Sequence, residues 1–184
     1  IAYSSSVNIR NINPQLYKEL IDSVKDINVK WFIIGSKNQQ QEIDTFIKTC
    51  KSRNKMVNWS KKFEDLVYTM ALVKNADCVI APDSGLIHIA GGLGIPVIGL
   101  YGAFHSSLRM KYYKKAIGID AMTTCVFARG DLRGCYQHGS GSCHLARKVY
   151  DRYSPCMSVI KLEHLQNALQ LLKIFEFKKE VIKK

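Results

Sequence analysis

The chain of 184 residues carries 27 Lys and Arg against 15 Asp and Glu, a formal net charge of +12, and 47% of it is hydrophobic. That length suits one complete α/β core and is short for two, and no run of about eighteen apolar residues offers a helical membrane span. The basic excess favours anionic partners such as nucleotides, phosphorylated saccharides, anionic membrane surfaces or nucleic acid, without choosing among them.

The opening IAYSSS lacks the basic start and long apolar stretch of a signal peptide, so a cytoplasmic location is expected, with peripheral contact at the inner membrane surface left open. The chain begins with Ile and enters a strand at once, which suggests that further sequence precedes it. Short apolar runs bounded by turn residues predict strands at Ala2–Ser4, Val29–Ile34, Met56–Asn58, Cys78–Ala81, Val97–Tyr101 and Ala116–Ile119. Between them, Asn13 as N-cap and Pro14 at the first helical position predict a helix over Pro14–Lys25, with Leu16, Leu20, Ile21 and Val24 on one face. The same spacing predicts helices over Gln39–Lys51 and Phe63–Lys74, the latter burying Leu66, Val67, Met70 and Val73. A short helix carries His88, and Leu162–Phe175 reads as the last substantial one. This alternation predicts a single α/β domain spanning residues 1–184, a Rossmann-like doubly wound parallel sheet covered on both faces. The tail 173–184 reads as a solvated, basic helix end.

Residues 125–157 break the alternation. They are rich in Gly, Arg and Cys and weakly periodic, which marks an irregular Cys-rich insertion or flap. Cys50 and Cys78 fall on a helix face and in a strand, where a thiol behaves as a small hydrophobe. Cys125, Cys135, Cys143 and Cys156 are candidate ligands for a structural Zn²⁺, although their spacing matches no standard zinc pattern. Free thiols and disulfides are the alternatives, and a reducing compartment disfavours the last.

The most informative stretch is 81–102, APDSGLIHIAGGLGIPVIGLYG, a buried strand, an Asp-Ser-Gly turn, a short helix and a second buried strand. Open α/β sheets bind ligands where the carboxyl ends of strands meet helix N-termini. Gly85, without a Cβ, lets an anion reach the backbone there, Ser84 offers a cap or a hydroxyl, and His88 a ring donor one turn in. Asp83 would repel a diphosphate directly, so it has a turn-shaping or hydroxyl-binding role. Ser4, Ser5, Ser6 and Arg10 follow the first strand, and Gly35, Ser36 and Lys37 the second, at the same edge. An ordinary turn with a satisfied histidine is the alternative reading of the tripeptide alone. A nucleophile elbow is excluded because Pro82 replaces the first glycine of G-x-S-x-G, and Gly91, Gly92 and Gly94 precede a strand, so they form no dinucleotide fingerprint. They instead end the short helix and turn the chain toward Pro96.

Asp83-Ser84-Gly85-x-x-His88-x-Ala90, followed by Leu93-Gly94-Ile95-Pro96-Val97 and Gly102, resembles the donor-binding signature of the ADP-heptose:lipopolysaccharide heptosyltransferases, the ninth glycosyltransferase family. The resemblance implies the C-terminal half of a GT-B fold, binding a nucleoside-diphosphate sugar for transfer to a saccharide acceptor in lipopolysaccharide biosynthesis. It implies that Ser84, Gly85 and His88 hold the diphosphate with Asp83 shaping the turn. Ser5, Ser6 and Arg10 would contact phosphate, and Gln39, in the loop after Gly35, would approach the ribose or base. The family often places an acidic residue near Gln39, a departure that leaves the base and sugar open. It also often has cysteines in the irregular region. No cofactor is required for such a transfer, because helix amides, Arg10 and His88 can meet the charge on the leaving group. The acceptor site and general base belong to an N-terminal half, in the same or another chain, and no catalytic residue is identified here. The chain is therefore expected to be the donor half of an enzyme. The alternative is a non-catalytic module that keeps the fold and binds nucleotide, nucleic acid or protein; against nucleic acid, no basic stretch is interleaved with aromatic residues.

Overall fold

The computed structural model of the chain describes residues 1–61, 65–121, 135, 143, 145 and 153–177. Five strands, β1 (Trp31–Ile33), β2 (Met56–Asn58), β3 (Val79–Pro82), β4 (Val97–Tyr101) and β5 (Ala116–Asp120), alternate with helices α1 (Pro14–Ser23), α2 (Gln40–Thr49), α3 (Leu66–Lys74), α4 (Gly85–Gly92) and α5 (Ser107–Met110). A last helix, α6, covers Leu162–Leu171. All strand pairs are parallel: β1 with β2, β3 with β4 and β4 with β5. The first three residues join the two groups. Ala2 bridges Ile34 in parallel, and its amide donates to the Ile80 carbonyl at 2.9 Å. The lateral order is β2, β1, the Ile1–Tyr3 segment, β3, β4, β5, which in chain order is the 3-2-1-4-5-6 sequence of the dinucleotide-binding folds.

Alternation along the strands sends side chains into two cores. Ile80, Ile98 and Leu100 face a core shared with α1, α2 and α6, where Tyr17, Leu20, Ile21, Ile43 and Leu165 are fully buried. Val79, Ala81, Val97 and Tyr101 face the opposite core, with Val73 of α3, Ile87 and Ala90 of α4, and Met110 of α5. The doubly wound expectation is met.

Boundaries differ in instructive places. The first strand contracts to the single bridge at Ala2, held by backbone hydrogen bonds of Ile1, Ala2 and Tyr3. Phe63 lies outside the described residues, and α3 begins at Leu66, with Asp65 as its cap, accepting from the Val67 amide at 2.9 Å. Of the four side chains expected to be buried on α3, only Val73 is; Leu66 and Val67 are 58% and 64% exposed and Met70 is also exposed. This helix is apolar nearly all round, so its sequence contains no contrast from which an inner face can be read. Two helices end in Schellman geometry, with Gly94 at φ +71° after α4 and Lys173 at φ +57° after α6. Around Gly94 the Ile95 amide donates to Ala90 and that of Gly94 to Gly91; around Lys173, Ile174 donates to Leu169 and Lys173 to Gln170. The stop at Leu171 corrects the expected helix to Phe175. Ile174, Phe175 and Phe177 turn back and pack partly buried on the core, Phe175 against Trp31 at 6.5 Å. The start of the tail is therefore anchored and is no solvated helix end. Lys173 adopts a backbone region that costs an L-residue about 1 kcal/mol or more. Lys173→Gly is expected to raise thermal stability by about 1 kcal/mol, read by calorimetry; an unchanged or lower Tm would contradict that account.

Cys125 and most of 125–157 lie outside the described residues. Cys143 is a buried free thiol packed with Cys135 against Ile9, whereas Cys156 packs on the core beside Gly102. Among the described residues no three His, Cys, Asp or Glu side chains converge as a metal site. Burial pushes the Cys78 thiol up to about 12 and raises that of Cys50, which fits both as inert hydrophobes. No helix among the described residues is long and apolar enough to cross a membrane.

Candidate functional site

The strand order reverses direction between the Ile1–Tyr3 segment and β3, and a crevice at the carboxyl ends of these strands is where such a sheet takes ligand. Two turns meet there. The serine turn after the first segment is shaped by Asn11, whose Oδ1 accepts from the Ser5 amide at 2.6 Å, while Ser5 Oγ accepts from the Val7 amide at 3.3 Å. Ser5 is thereby buried within its own turn and Ser6 is exposed on it. A single 3-10 turn, Asn8–Arg10, buries Ile9 and leads to Arg10. Ser154 Oγ donates to the Ile9 carbonyl, so the end of the irregular segment is fastened to the turn that carries Arg10.

The second turn leaves β3 at Pro82. Asp83 is 5% exposed, and its Oδ2 lies 3.4 Å from Arg10 Nη1. Ser84 is the N-cap of α4 by position and backbone, yet its hydroxyl makes no cap hydrogen bond. Among the described residues, Arg10 Nε, Asp83 Oδ2 and Ser84 Oγ are all buried without a hydrogen-bond partner. A buried polar group left so costs about 1–3 kcal/mol; here Asp83 Oδ2 has the Arg10 charge beside it, while Arg10 Nε and Ser84 Oγ are donors with hydrogen-bonding capacity to spare on two touching turns. Gly85 opens α4, and a Cβ there would meet nothing within 4 Å. Its lack of a side chain serves no packing among the described residues and leaves the first amides of α4 approachable from that side.

His88, one turn in, is exposed, and its Nδ1 lies 2.8 Å from Tyr113 Oη, with the two rings edge to face. The second-strand loop is built differently. A Cβ on Gly35 would come within 2.5 Å of Ile43 Cδ1, so this glycine admits the close packing of α2. Gln39 Oε1 accepts from the Ser36 amide at 3.1 Å, and its Nε2 donates to Ser4 Oγ at 2.5 Å, tying this loop to the serine turn.

The structure thus brings Arg10, Asp83, Ser84 and Gly85 together at the carboxyl ends of the first segment and β3, with His88 on the next turn. Gly35 and Gln39 support its flank. Sequence reasoning did not find Asn11, which shapes the serine turn, or Tyr113. It also did not find Asp120, whose carboxylate accepts from the Ser106 amide and hydroxyl and lies 3.4 Å from His105 Nε2, fixing the loop after β4 to the end of β5. The partners of Tyr113 and Asp120 lie 25 and 14 residues away, beyond any local spacing rule, whereas Asn11 is only six residues from Ser5.

The sequence model of "Glycosyltransferase family 9 (heptosyltransferase)" matches residues 12–128. The curated lipopolysaccharide core heptosyltransferase OpsX of Haemophilus influenzae is 54% identical over 43 residues, 23% of this chain and 12% of that protein. Among solved structures, Escherichia coli ADP-heptose lps heptosyltransferase II superposes with a TM-score of 0.70 at 17% identity, over 93% of this chain and 44% of that one. The family 9 glycosyl transferase of Veillonella parvula gives 0.66 at 18% identity with the same coverage. E. coli heptosyltransferase WaaC, solved with ADP, gives 0.56 at 15% identity over 82% of this chain and 43% of that one. The chain spans less than half the length of these structures and shares their fold over that span. With the match running from α1 past β5, across well over half of its residues, the chain belongs to glycosyltransferase family 9.

Proposed function

We propose that this chain is the donor-binding half of a glycosyltransferase, holding a nucleoside-diphosphate sugar at the crevice between the serine turn and α4. A saccharide acceptor would be presented by an N-terminal half in the same or another chain. The observation that carries this reading is the pair of buried donors without a hydrogen-bond partner, Arg10 Nε and Ser84 Oγ, beside the open start of α4.

Glycosyl transfer breaks the bond between the anomeric carbon and the diphosphate, and negative charge grows on the departing phosphate oxygen. The α4 amides and the positive end of its dipole are fixed in place before that charge appears, so little reorganisation opposes its formation. Ser84 Oγ donates to the same phosphates, and Arg10 adds charge while Asp83 keeps the guanidinium seated in the crevice. His88 supplies a further donor. The charge is met by N–H and O–H groups, so the reading assigns no metal. Acceptor activation would belong to the N-terminal half, and a donor half alone binds without efficient transfer.

ADP, the nucleotide carried by the solved relative WaaC, is the first probe. At about one hundred times its Kd it should stabilise the chain by about 2.7 kcal/mol, and Ser84→Ala and His88→Ala should each diminish the shift. Absence of any stabilisation by ADP, GDP or UDP would overturn the reading.

A further inference from the structure

We infer that Tyr113 is a positioning residue for the donor site, selecting the tautomer of His88 that carries its proton on Nε2. The inference rests on the donor-site reading above and adds to it the group that makes His88 useful there.

A neutral imidazole has one nitrogen that donates and one that accepts, and the hydrogen bond made by one fixes the role of the other. His88 Nδ1 is 2.8 Å from Tyr113 Oη. If the phenol hydroxyl donates, Nδ1 accepts and the proton resides on Nε2. If Nδ1 donates, Nε2 becomes an acceptor. A diphosphate offers only acceptor oxygens, so only the first arrangement lets neutral His88 bind it. A phenol is a much stronger acid than a neutral imidazole N–H, so the hydroxyl is the preferred donor in this pair.

The fold holds Tyr113 in place for this contact from three sides. Its amide donates to the Met110 carbonyl at 2.9 Å, closing the turn after α5, and Met110 itself is 5% exposed in the core. Its ring lies edge to face with the His88 ring, with centroids 6.1 Å apart. The ring also occupies the notch left by Gly91, one turn after His88 along α4. A Cβ at Gly91 would lie 2.4 Å from two ring carbons. Gly91, which from the sequence only ends the helix, thus seats the tyrosine against α4. A tyrosine merely filling surface would need neither this notch nor its hydroxyl directed at a ring nitrogen.

The test uses the whole chain with ¹⁵N-labelled histidine, reading the His88 tautomer from its ring nitrogen shifts without nucleotide and then measuring ADP affinity by calorimetry. In the wild type the Nε2–H form should dominate. Tyr113→Phe, which keeps the ring in the Gly91 notch, should give a mixture of tautomers and lower ADP affinity several-fold. Gly91→Ala, which displaces the ring while leaving the hydroxyl in the chain, should reproduce both changes. In a His88→Ala background, Tyr113→Phe should have no further effect on affinity. Dominance of the Nδ1–H form in the wild type, or a Tyr113→Phe variant with unaltered tautomer ratio or unaltered affinity, would overturn the inference. A wild type with the Nε2–H form that fails to bind ADP would instead count against the donor site itself.

Discussion

Gly85→Ala is expected to make the free protein more stable and its nucleotide complex weaker. An alanine in the first turn of a helix loses less backbone entropy on folding than glycine, and the new methyl meets nothing within 4 Å, so stability should rise by about 0.4–1 kcal/mol. On the proposed donor reading, the same methyl stands where a phosphate would approach the α4 amides. A displacement of a few tenths of an ångström lengthens several charge-assisted hydrogen bonds together, and ADP affinity should fall at least about tenfold, or about 1.4 kcal/mol. Thermal unfolding with and without ADP measures both quantities on one sample. The opposite signs separate a binding role from a structural one: a structural glycine would lose stability on substitution. A variant that gains stability and keeps full affinity would place the anion elsewhere.

Arg10→Met should produce the largest loss of stability among substitutions at the crevice. Asp83 is 5% exposed, and Arg10 is its ion-pair partner at 3.4 Å, a distance at which charge matters more than hydrogen bonding. Removing one partner of a buried pair leaves the other desolvated and uncompensated, which costs about 3 kcal/mol. For a chain of this size that corresponds to a drop in Tm of roughly 6–12 °C. Because Arg10 is partly open to solvent, the loss should fall at the lower end. Adding Asp83→Asn to Arg10→Met removes the stranded carboxylate and should recover most of the stability while leaving ADP binding weak. Failure of the second substitution to restore stability would show that the two charges do not act as a pair.

What could be read from the sequence was what depends on neighbours along the chain. Asn13 and Pro14 announced the start of α1, and Asn13 Oδ1 indeed accepts from the Gln15 amide at 2.9 Å. The Asp83 to His88 turn was legible because strand end, turn and helix start are consecutive. Gly94 announced the end of α4, whereas α6 stops on a lysine that gives no such sign. The inner face of α3 was illegible because apolar residues surround it, and burial there is decided by which side the sheet lies on. The pairing of Arg10 with Asp83 depends on the lateral order of strands, which periodicity does not encode. The same holds for Tyr113 on His88, and for Gly35, whose role follows from α2 packing close to the strand end. Hydrophobic patterning says that a strand is buried; it does not say beside which other strand.

The seam at Ala2 has a kinetic consequence. Strands β3, β4 and β5 pair with near neighbours in the chain, as do β1 and β2, but Ala2 must find Ile80 across most of the amino-terminal half. Contacts of such long separation close late in folding, because the loop entropy is lost before any contact compensates it. Arg10 and Asp83 stand on opposite sides of that seam. The proposed anion site therefore does not exist in either sub-sheet alone and would form only with the final docking step, so a nucleotide added during refolding should leave the early phases unchanged and hold only the joined state.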